Sequence, residues 1–208
     1  MGVAGWLVTV VLAGSGPARA DLTVEWMAAH RASLLDPVAT VGSRLGNNHW
    51  ILAGTLAAAT LLLALRGRWW PVLFLAVVMI GEVTLFITSS ILVGRPRPAV
   101  PHLGPEIPPT ASFPSGHVAA TICLYAAVAM LTSHLTTRWW RWAGVALAVV
   151  LPSCVAAARL YWGVHHPLDT VGSALLAVCW LTACWAVLSP LDDPPRQSPT
   201  REPASLSA

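Results

Sequence analysis

Five uninterrupted apolar runs, at 49–65, 69–93, 117–133, 142–158 and 168–188, constrain this chain more than any other feature. A helix needs about 20 predominantly apolar residues to cross the hydrocarbon core of a bilayer. In that medium every backbone N–H and C=O must be bonded within its own segment, so runs of this kind read as helices. The composition agrees: 208 residues, 56% hydrophobic and 10% charged, with a mean hydropathy of +0.66, are too apolar for one soluble domain to enclose. Residues 1–18 offer a further, shorter run, the first of six in chain order. Ala18-Arg19-Ala20 resembles a small-residue cleavage site, but the positively charged start of a signal peptide is missing, so a short first span is favoured over a cleaved signal. The expected fold class is therefore an all-α integral membrane six-helix bundle within 1–190. Residues 21–46 read as a partly amphipathic surface helix, and 191–208, rich in Pro and Ser, as a disordered cytoplasmic tail.

Arginine placement sets the expected orientation, because basic residues in short loops stay on the cytoplasmic side. All twelve basic residues are Arg, with no Lys. Arg66 and Arg68 follow the second run, Arg138 and Arg141 the fourth, and Arg196 and Arg201 the sixth. Trp50, Trp69, Trp70, Trp139, Trp140 and Trp142 sit at run ends as headgroup anchors. The net charge of +3 is small and scattered, which argues against a nucleic-acid partner. Cys123, Cys154, Cys179 and Cys184 lie in apolar runs without CxxC spacing and read as small core residues rather than a disulfide framework or zinc site.

The outer loops also carry arginines, against the charge rule, and three blocks of chemistry-bearing residues recur there at span ends. Gly94-Arg95-Pro96-Arg97-Pro98 follows the third run; its prolines stop the helix and hold two guanidinium groups in extended backbone. Arginine forks match phosphate oxygens bidentately. Taken alone, this block reads equally well as two arginines snorkelling to the interface. Phe113-Pro114-Ser115-Gly116-His117 opens the fourth run and sets backbone N–H groups and the positive end of a helix at one point, which suits an anion. A plain serine N-cap explains that block by itself. Arg159 and His165 lie between the fifth and sixth runs and Asp169 at the start of the sixth, with Pro167 suited to the first helical turn. A carboxylate beside an imidazole fixes its tautomer and leaves the other ring nitrogen free as a nucleophile. Two histidines of opposite protonation state would give a bell-shaped pH profile.

In order and spacing, Arg97-Pro98, Pro114-Ser115-Gly116-His117 and Arg159…His165…Asp169 resemble the three-part signature of the type-2 phosphatidic acid phosphatase superfamily. The resemblance implies a membrane lipid phosphatase in which His165 forms a phosphohistidine, Asp169 orients it and His117 protonates the leaving group. It further implies that Arg97, Arg159, Ser115 and the Gly116 backbone hold the phosphate oxygens, with no metal and no cofactor. The implied partners are the membrane and a lipid phosphate substrate: undecaprenyl diphosphate, phosphatidylglycerol phosphate or phosphatidic acid. The implied location is the inner (plasma) membrane, with the site facing outward or to the periplasm.

Two positions depart from the family pattern. Ser90 stands where a lysine is expected, and Ala158 where a serine usually precedes the third-block arginine. Losing one charge-assisted contact costs about 1.5–3 kcal/mol, so activity could fall without vanishing. Arg95 is the expected replacement donor. The same departures permit a rival reading: a weakened lipid-phosphate binder or transporter of the same fold. A vanadium-dependent haloperoxidase, with a similar site, is disfavoured by the long apolar runs. Within the third run, Glu82 is expected to face the bundle interior, with a hydrogen-bonding role favoured over a role with substrate or protons.

Overall fold

The structure, a computed structural model, describes residues 21–105, 107–135 and 139–189. Seven helices follow in order among them: α1 (Asp21–Ala29), α2 (Asp36–Leu45), α3 (Asn48–Arg66), α4 (Trp70–Val93), α5 (Gly116–Leu135), α6 (Trp140–Tyr161) and α7 (Pro167–Leu188), with no strand among the described residues. Helices α3 to α7 are each long and apolar enough to cross a membrane. They coincide with the five apolar runs. The proposed first span at 1–18 and the tail at 191–208 lie outside the described residues.

Punctuation in the sequence explains where the spans stop. Gly67 and Gly94 follow α3 and α4 in left-handed backbone, at φ 61° and 56°, and return their N–H groups to Leu63 and Ser90. Glycine adopts that conformation without steric cost. Pro71 and Pro167 lie in the first turns of α4 and α7, where a missing N–H loses nothing.

Helix α5 is the central post, in contact with α3, α4, α6 and α7. The main apolar core lies at the end of the bundle away from the three blocks. Trp70, Phe74, Leu75 and Val78 of α4 meet Cys123, Ala127 and Leu131 of α5 and Ala177, Leu181 and Cys184 of α7. Outward-facing Ile80, Ile91, Val149, Val171 and Val187 are exposed in the isolated chain, as side chains facing lipid would be. Glu82 is buried in the interior, and its Oε1 has no hydrogen-bond partner among the described residues.

Residues 21–46 correct one expectation. Instead of one surface helix the chain forms two, α1 and α2, separated at His30–Leu35. Pro37 is the physical reason: it cannot donate within a helix, and its ring collides with the carbonyl four residues earlier. The break is held by Tyr161 of α6, whose Oη accepts from the Ala32 N–H at 3.1 Å and donates to Asp36 Oδ1 at 2.8 Å. Arg31 Nε also donates to the Tyr161 carbonyl at 3.2 Å. Small residues then let α2 lie close on α6: a Cβ added to Gly42 would sit 3.0 Å from Ala158 Cβ. Helix α2 thereby becomes a wall beside the span ends that carry the three blocks.

Candidate active site

The three blocks converge at one end of the bundle, from the C-termini of α4 and α6 and the N-termini of α5 and α7. Asp169, fully buried in the first turn of α7, is the hub. Its Oδ1 accepts from Arg95 Nη1 at 2.9 Å. Its Oδ2 accepts from Ser112 Oγ at 2.5 Å and from the His166 backbone N–H at 2.8 Å. A carboxylate with three such donors remains ionised and fixed in place.

His165, only 3% exposed, has Nδ1 2.8 Å from the Ser112 carbonyl and 3.6 Å from Asp169 Oδ2. A carbonyl can only accept, so Nδ1 carries the hydrogen and Nε2 keeps its lone pair. Burial lowers the His165 pKa below its ordinary value; Asp169 opposes this, while Arg159 and Arg97 act with it. The ring therefore stays neutral to lower pH than a free imidazole. The expected partnership with Asp169 is present, but the nearer partner of Nδ1 is the Ser112 carbonyl, and Asp169 secures Ser112 as well.

His117 projects from the first turn of α5, with Nε2 3.2 Å from Asn47 Oδ1. The charged or titratable neighbours it faces are Arg159, His165 and Arg97. Arg159 is buried at the C-terminal end of α6: Nη1 donates to Ser43 Oγ at 3.1 Å, the guanidinium lies 5.7 Å from the Trp162 ring centre, and Nε has no partner. Ser115 is fully buried with its Oγ also unpartnered, one residue before α5 begins. Gly116 presents bare backbone where a Cβ would meet the Phe86 ring at 2.9 Å. Buried donors left open are uncommon in folded proteins, and here they belong to residues singled out for an anion.

Arg97 is engaged differently. Nε donates to the Pro108 carbonyl at 2.8 Å, Nη1 to Val164 at 2.6 Å and Nη2 to Ala111 at 3.2 Å. It thus ties the 94–115 loop to the residue before His165, with part of its five-donor fork left over. Burial lowers its pKa from the ordinary value, and Asp169 pulls the other way. Arg95 is not placed as the expected replacement phosphate donor. Its guanidinium lies on Asp169, with Asp21 at 3.9 Å, so it anchors the carboxylate behind His165.

A cavity of about 500 Å³ opens onto this group, with His117 and Arg159 in its lining. Helix α2 and the turn after it contribute Asp36, Thr40, Arg44 and Asn47; Leu103, Gly104, Pro105, Ile107 and Trp162 form the rest. Gly104 makes that loop possible: at φ 93° it lies against the Trp162 ring, which an added Cβ would approach to 2.5 Å. His165, Ser115 and Asp169 do not themselves line the cavity. Ser112, Ser43 and Asn47 have no counterpart among the candidates read from the sequence, since single polar residues outside a spaced motif give no signal. Among the described residues no group of three His, Cys, Asp or Glu side chains is placed to hold a metal ion.

An all-helical membrane bundle with two histidines, an aspartate hub and arginines around one cavity defines a class, and comparison with known proteins supplies its family. The PAP2 superfamily model matches residues 70–192, and the chain belongs to that superfamily. An undecaprenyl-diphosphatase of Sulfolobus acidocaldarius is 32% identical over 114 residues, covering 54% of this chain and 47% of that protein; the chain thus matches about half the length of that relative. A decaprenylphosphoryl-5-phosphoribose phosphatase of Mycobacterium tuberculosis is 30% identical over 162 residues, 73% of this chain and 83% of that protein. Among solved structures, the PAP2-type phosphatidylglycerolphosphate phosphatase of Bacillus subtilis superposes with a TM-score of 0.76 at 22% identity, covering 94% of this chain and 98% of that one. Aquifex aeolicus LpxE superposes at 0.63 and 23% identity, over 78% and 92%. The fold is a multi-pass membrane fold of this kind.

Proposed function

We propose that this chain hydrolyses a phosphate from a lipid phosphate or polyprenyl diphosphate through a phosphohistidine, without a metal, at the non-cytoplasmic membrane face. The observation that carries this reading is the state of His165: Nδ1–H held by the Ser112 carbonyl at 2.8 Å, leaving the Nε2 lone pair free beside two arginines. In the first step Nε2 attacks phosphorus, the bond to the leaving oxygen breaks, and His117 passes its proton to that oxygen. In the second, water attacks phosphorus, His117 takes a water proton, and the P–N bond breaks to free phosphate and restore Nε2. Phosphoryl transfer spreads negative charge over the outer oxygens, so catalysis is chiefly positioning and fixed positive charge. Arg159 Nε, Ser115 Oγ, the Gly116 backbone and the spare Arg97 donors supply these. Asn47 Oδ1 lies 3.2 Å from His117 Nε2 and orients the ring, and Arg95 holds Asp169 in place.

The sequence relatives support the substrate class. They are named for undecaprenyl diphosphate and a decaprenylphosphoryl sugar phosphate, both polyprenyl-linked. Orientation is supported by Arg66, Arg68 and Arg141, which sit at the helix ends opposite the site. The test is phosphate release by the purified chain from polyprenyl diphosphate, phosphatidylglycerol phosphate and phosphatidic acid, with and without EDTA. Release unchanged by EDTA and abolished in His165→Ala is expected; abolition by EDTA would overturn the metal-free reading.

A further inference from the structure

One wall of the cavity belongs to none of the three blocks. Asp36, Thr40 and Arg44 of α2 recur every four residues, and Asn47 follows in the turn. Steps of four keep side chains on one helical face, about 6 Å apart along the axis at about 1.5 Å per residue. Arg44 is bracketed by contacts to the phosphate group of residues: its neighbour Ser43 accepts from Arg159 at 3.1 Å, and Asn47 meets His117 at 3.2 Å. Asp36 is held by Tyr161 at the far end of the same face. No carboxylate of the described residues pairs with Arg44, although it lines the cavity. A guanidinium beside a phosphate site, followed by a hydroxyl oxygen whose own hydrogen goes to the Asp36 carbonyl at 2.7 Å and then by a carboxylate, complements a second anion and adjoining hydroxyl donors. It is more than a lone phosphate monoester needs.

We infer that this face of α2 is a headgroup subsite, in which Arg44 binds a second phosphate on the leaving-group side of a doubly phosphorylated amphiphile. The inference rests on the phosphatase reading and narrows its substrate class. The second phosphate has two possible sources: a diphosphate, where the two anions adjoin, or a sugar phosphate, where a ring carrying hydroxyls for Thr40 and Asp36 separates them. A lipid monophosphate would leave Arg44 unused.

The test compares three substrates with one polyprenyl tail: the monophosphate, the diphosphate and the phosphoryl-pentose phosphate. In Arg44→Gln, kcat/KM for a doubly phosphorylated substrate should fall about tenfold relative to that for the monophosphate, mainly through KM, and Arg44→Lys should recover most of it. A fall for the diphosphate assigns adjoining anions, and a fall for the pentose phosphate assigns separated ones. An unchanged ratio in both arms overturns the subsite. If the wild type releases phosphate from none of the three, the phosphatase reading fails, and the subsite is judged by binding. The Kd of the diphosphate for His165→Ala should then rise about tenfold in His165→Ala/Arg44→Gln. Equal affinities would refute it.

Discussion

At one end of the bundle Trp70, Phe74, His134 and Trp185 pack ring against ring, with centres 5.3–5.9 Å apart. At the other end Arg159, His165, Asp169, Ser112 and Ser115 are buried. At the aromatic end Trp70 Nε1 donates to the Leu188 carbonyl that closes α7, and one buried donor, Arg141 Nε, has no partner among the described residues. The polar end leaves Arg159 Nε and Ser115 Oγ open. Buried donors without partners cost stability, and the two open at the polar end fit the phosphate-holding work proposed there.

That contrast is open to a double dissociation. The largest effect is expected from Arg159→Met, which removes a buried guanidinium with an open Nε while keeping apolar volume. Losing a fixed donor to a transferring group costs about 10²–10³ in kcat. Because the cation is buried without a counter-charge in contact, melting in detergent should hold steady or rise. A variant that keeps its activity, or that unfolds, would break the comparison. Phe74→Ala makes the converse case: a ring with no solvent exposure is lost from the aromatic core, at a cost of about 3–5 kcal/mol. Thermal unfolding should drop, while kcat/KM per folded molecule should hold; a catalytic loss as large as that of Arg159→Met would show that the ends are not separable.

The smallest effect concerns pH. His165 works as the neutral ring, and burial holds its pKa below the ordinary 6.5. The free-enzyme acid limb of kcat/KM should therefore lie below pH 6.5, activity falling only as pH drops through the lowered value. An acid limb at or above 6.5 would contradict the burial seen for this ring.

The two ends also differ in how far the sequence disclosed them. Helices α3 to α7 were legible because lipid admits only self-bonded helices, and Gly67, Gly94, Pro71 and Pro167 mark their limits. The break before α2 carries a mark in the sequence, Pro37, which the amphipathic pattern around it obscures. At the site, Arg97, His117, Arg159, His165 and Asp169 stood out as polar groups at span ends that the charge rule could not explain. Ser43, Ser112 and Asn47 were invisible for a different reason. Each acts through a contact made across the fold, from Ser43 to Arg159, from Ser112 to His165 and Asp169, and from Asn47 to His117. Arg95 shows the same limit: proximity in sequence suggested a phosphate donor, and folding set it on Asp169.

The proposed covalent step is the most exposed part of the account. Rapid quenching of the purified chain with substrate labelled in the departing phosphate, followed by peptide mapping under neutral conditions, tests it directly. An acid-labile phosphoryl group on His165, absent from His165→Ala, is the predicted result. A label on any other residue, or full turnover by His165→Ala, would contradict it.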